Sequence, residues 1–83
     1  MKNKTVFIVD SDPNSSKRLS LHLEALNFNV THFESGWKMM DQLHLKPCLI
    51  VLAHDLAEQS DGLHYLRQIK VVNRDIPVLF LLS

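Results

Sequence analysis

Two carboxylates and a hydroxyl stand together at Asp10-Ser11-Asp12, and a further acid, Asp55, follows the apolar run Leu49–Ala53 beside His54. Carboxylates converging from two strand ends could hold a magnesium ion, which takes oxygen ligands in octahedral geometry, usually one or two carboxylates with water and a phosphate. Such a site would support phosphoryl chemistry. The plainer alternative is that these acids are loop residues, with Asp12 serving only as a helix cap. His54 and Asp55 do not form a catalytic dyad, because adjacent residues in a strand point to opposite faces and no serine or cysteine is placed to use them. His22, His32, His44 and His64 lie on separate segments without the i, i+4 spacing of a helical metal pair, so they read as solvated or packing residues. Cys48 is the single cysteine; it cannot form an intramolecular disulfide and, in a strand-like run, reads as packing. Trp37 with Met39 and Met40 reads as a packing stripe rather than a cofactor pocket. Gly36 and Gly62 are the only glycines, and neither sits in a glycine-rich loop that could cradle a nucleotide.

The elements that must position these residues alternate between apolar runs and helical periodicity, the pattern of a parallel sheet wrapped by helices. Val6-Phe7-Ile8-Val9 suits a strand covered on both faces. Asp12-Pro13 supplies a helix N-cap followed by proline at the first helical position. The helix Pro13 to Leu26 is expected to turn Leu19, Leu23 and Leu26 towards the sheet and to leave Lys17, Arg18 and Glu24 wet. Val30-Thr31-His32-Phe33 mixes polar and apolar residues, as a half-covered edge strand does. After Glu34-Ser35-Gly36, Trp37, Met40 and Leu43 recur at helical spacing, with Met39 broadening the stripe, until Lys46-Pro47 halts the second helix. Leu49 to Ala53 is a buried strand, and His54 to Ser60 a polar loop. Ser60 or Asp61 caps a third helix that carries Leu63, Leu66 and Ile69 inwards. Asn73 to Pro77 connects to Val78-Leu79-Phe80-Leu81-Leu82, which lacks alternation and reads as buried on both faces.

A chain of 83 residues allows one small domain. Nine basic and nine acidic residues give a net charge of zero, so no long-range field draws it to nucleic acid or anionic lipid. Apolar residues at 46% and charged residues at 22% describe a globular chain rather than a disordered tail. The apolar runs fall far below the roughly 18 residues of a membrane-spanning helix. The start MKNKTVFIVD lacks the apolar core of about 7 to 15 residues that a secretory signal needs, so the cytoplasm is the expected compartment. A strand of central pattern as the last element implies either the front part of a longer domain or a second copy completing the sheet. Truncation is the favoured expectation, with self-association through the fourth-strand edge as its consequence.

From VFIVDSDP through LHLEALNFNVTHFESGWKMMDQL and KPCLIVLAHDLAEQSDGLHYLRQIK to DIPVLFLLS, the sequence resembles the receiver domain of two-component response regulators, a flavodoxin-like fold. The resemblance covers essentially the whole chain and includes the pair Asp61-Gly62 and the Ile76-Pro77-Val78 opening of the fourth strand. It implies an α/β fold with four parallel strands in order 2-1-3-4 and three crossover helices, lacking the family's last strand and last two helices. Residues 1–83 are then the N-terminal part of one receiver-like domain. It further implies a bacterial response regulator, a sensor kinase or output domain as protein partner, and no enzyme activity of its own.

The family uses two adjacent acids after the first strand, a phosphate-accepting aspartate after the third, a Thr or Ser after the fourth and a lysine after the fifth. Asp10 matches the first acid; the second, which usually contacts the metal, falls on Ser11, and Asp12 is one place late. The phosphoacceptor position falls on Ala53, whose methyl group cannot accept phosphate. The Thr/Ser position falls on Leu82, with Ser83 one place beyond. Loss of two carboxylates removes most of the charge that would hold magnesium, and loss of the nucleophile ends acyl-phosphate formation. The pocket is therefore expected to be silent, without cofactor, magnesium entering only if Asp10 and Asp12 still gather it. Asp55 is the fallback acceptor, since its side chain points the same way as that of Ala53, but it lies about 6 to 7 Å further along. Two alternatives stand beside the silent receiver: a working phospho-switch on Asp55, and a flavodoxin-like domain binding a small ligand where Ser11 and Ala53 leave space.

Overall fold

The computed structural model describes residues 4–53, 56 and 61–81. Its elements follow in the order β1 (Thr5–Val9), α1 (Pro13–Ala25), β2 (Asn29–Phe33), α2 (Gly36–Asp41), a 3-10 turn (Leu43–Leu45), β3 (Leu49–Ala53), α3 (Gly62–Val72) and β4 (Val78–Leu81). All pairings are parallel, and the sheet order is β2-β1-β3-β4, as expected from the sequence. The central strands are the apolar ones: Val6, Phe7, Ile8 and Val9 in β1 and Ile50, Val51 and Leu52 in β3 are all buried. Each such side chain contributes about 1.5–3 kcal/mol by leaving water.

The sheet separates two apolar layers. Phe7, Val9, Ile50 and Leu52 pack with Met39, Leu43, Tyr65, Ile69 and Ile76 on the α2–α3 side. Val6, Ile8 and Val51 face α1, where Leu19, Leu23, Phe28 and Cys48 close over them. Cys48 is thus a half-buried packing residue, as its sequence context implied, and its N–H donates to the Thr5 carbonyl at 2.8 Å. Asp12 caps α1 with Pro13 behind it, and Asp61 caps α3. Lys70 Nζ donates to the carbonyls of Ile76 (2.6 Å) and Arg74 (3.2 Å), tying the end of α3 to the turn that leads into β4.

In each helix the inward face departs from the stripe read from apolar residues alone. Leu26 does not face the sheet. It caps the end of α1 and is 64% exposed, and Asn27 next to it turns left-handed (φ 70°) to bring Phe28 back over the sheet. The α1 face that packs is Ser16, Leu19, Ser20 and Leu23, with both serines buried. Trp37 is 56% exposed, and the Lys38 ammonium lies over its ring at 5.6 Å. The packed face of α2 runs Gly36, Met39, Met40 and onwards to Leu43, and Trp37 lies about 100° away from Gly36 around the helix. Leu63 is 41% exposed, and the packed face of α3 is Gly62, Tyr65, Leu66 and Ile69. In all three cases the spacing is i, i+3, i+4, i+7 and opens on a residue with little or no side chain.

β4 is also less buried than its composition predicts. It pairs with β3 alone among the described strands, and Leu79 is 46% exposed. The expected buried position Leu82 lies outside the described residues.

The glycines are required by neighbours. A Cβ on Gly62 would run into the Ala53 carbonyl and the Phe80 ring, and one on Gly36 into the Tyr65 ring. Gly62→Ala is expected to cost about 1–3 kcal/mol through this overlap, against the gain of about 1 kcal/mol that the same change gives in an open helix. Gly36→Ala is expected to cost less, because a ring can move aside where a backbone carbonyl cannot. Urea unfolding midpoints of the two variants test both the sign and the order.

Candidate functional site at the strand ends

β1 ends at Val9, and Asp10 N–H still donates to the Phe33 carbonyl at 3.0 Å, so the backbone stays tied to β2 for one residue more. Alternation of side chains carries Asp10 to the same face as Val6 and Ile8, the α1 side. In β3 the same rule puts Ala53 with Leu49 and Val51 on that side. The register pairs Val9 with Leu52 and Ala53 with Leu81. Its next step sets Asp10 beside Ala53, with neighbouring strands about 4.8 Å apart. One row at the carboxyl end of the sheet therefore reads Asp10, Ala53, Leu81: one carboxylate, one methyl and one isobutyl group.

The acids at the end of β1 have structural work. Asp10 Oδ1 accepts from the Asp12 N–H and Asp12 Oδ1 from the Asn14 N–H, each at 3.0 Å. These two successive Asx turns lead the chain from the strand into the first turn of α1. Asp10 and Ser11 are half-buried, whereas Asp12 is exposed. On the opposite side of the row, Gly62 abuts the Ala53 carbonyl, and Asp61 Oδ1 accepts from His64 N–H at 3.1 Å to start α3. The Asp61-Gly62 pair thus has a local reason: a cap followed by a residue that lets the helix touch the strand.

This donor set does not fit a receiver-type magnesium site. Ser11 offers a neutral hydroxyl and the Ala53 side chain a methyl group, neither of them the carboxylate that magnesium takes. Among the described residues no three His, Cys, Asp or Glu side chains are grouped so as to hold a metal. His54, the fallback acceptor Asp55, Leu82 and Ser83 lie outside the described residues. His22, His44 and His64 are exposed and separate from the row. One histidine does more than the sequence suggested: His32 Nε2 lies 3.2 Å from the buried Ser16 Oγ, linking the edge strand to α1. A serine at an inward helical position opposite a strand histidine was the only available signal.

Replacing Asp12 by Ala is expected to cost about 1 kcal/mol of stability through loss of the cap, and Asp12→Asn close to nothing, because asparagine caps equally well. Thermal or urea unfolding of the pair checks it.

No family model matches the chain. Known proteins do. The transcriptional regulatory protein CssR of Bacillus subtilis (strain 168) is 29% identical over 77 residues, which cover 93% of this chain and 34% of that protein. The chain therefore spans about a third of the length of this curated relative. Among solved structures, the N-terminal domain of a response regulator receiver protein from Methanoculleus marisnigri JR1 is 30% identical, with a TM-score of 0.80 over 92% of this chain and 63% of that one. The BeF3-activated DrrB receiver domain is 25% identical, with a TM-score of 0.84 over 98% of this chain and 67% of that one. In strand order, fold and sequence the chain is similar to the receiver domains of response regulators.

Proposed function

We propose that the chain is a receiver domain with a silent phosphorylation site, working over residues 1–83 as a protein-interaction module in bacterial two-component signalling and transcription regulation. The row Asp10, Ala53, Leu81 supports this reading most directly: the register keeps the receiver arrangement while the side chain at the acceptor position carries no oxygen. Without a nucleophile no acyl phosphate forms, and with one acid in place the site lacks the charge to hold magnesium. What remains is a surface. Its partners are then proteins, a sensor kinase or an output domain, and its compartment the cytoplasm; no helix among the described residues is long and apolar enough to cross a membrane. Self-association through the outer edge of β4 belongs to the same reading, since that edge has no strand partner among the described residues.

Incubation with a small phosphodonor and magnesium is expected to leave the chain unlabelled by intact-mass measurement. Labelling that disappears in Asp55→Asn would replace this reading with a working switch on Asp55. The double variant Ser11→Asp, Ala53→Asp restores two carboxylates beside Asp10, and its magnesium affinity is expected to rise at least about tenfold over that of the unaltered chain. Titration calorimetry reads the difference.

A further inference from the structure

We draw no further inference here: the strongest candidate, the groove on the outer flank of α3 lined by His64, Arg67, Gln68, Val71 and Val72, carries none because nothing in the structure shows what covers it.

Discussion

Helices lie on a parallel sheet at a distance set by whichever side chain stands between the two backbones, and here that side chain is nearly absent at one point in each helix. Ser16, Gly36 and Gly62 are all buried at the sheet-facing or helix-facing side of α1, α2 and α3. Gly62 brings α3 against the carbonyl of Ala53, and Gly36 brings α2 against the Tyr65 ring. Once these contacts fix the rotation of a helix, the other inward positions follow at three, four and seven residues. Met39 and Ile69 then fill the layer above the sheet, fully buried, while Trp37 and Leu63 are carried outwards.

The same close seating shapes the strand ends. Asp61 and Gly62 hold the start of α3 beside Ala53, while the two Asx turns at Asp10 and Asp12 deliver the chain into α1. The backbone geometry at the strand ends therefore has a local cause, since Asp10, Asp12 and Asp61 each lead the chain out of a strand or into a helix.

Strand order and helix starts were legible in the sequence. The unbroken apolar runs Val6–Val9 and Leu49–Ala53 suit the middle of a parallel sheet, and Asp12-Pro13 and Asp61 announce their helices. The phase of the helices was misread at Leu26, Trp37 and Leu63. Hydropathy counts apolar side chains, whereas the positions that set the phase are serine and glycine, which carry no apolar signal. At the strand ends, the identities of Asp10, Ser11 and Ala53 can be read directly from the sequence. That Asp10 and Ala53 share a face and a row follows only from the register. The Ser16–His32 link joins residues distant in sequence and has no local signature.

The placement of β1 between β2 and β3 has a consequence for biosynthesis. During synthesis β1 finds its first neighbour only when Asn29–Phe33 has emerged and its second only after Leu49–Ala53. At about 5–20 residues per second, Val6 to Val9 stay unsheltered for seconds. During that interval a nascent chain presents its greasiest hydrogen-bonding edge to whatever chaperone is near the exit tunnel, and α1, wrapping back over one face, is the earliest cover it can receive.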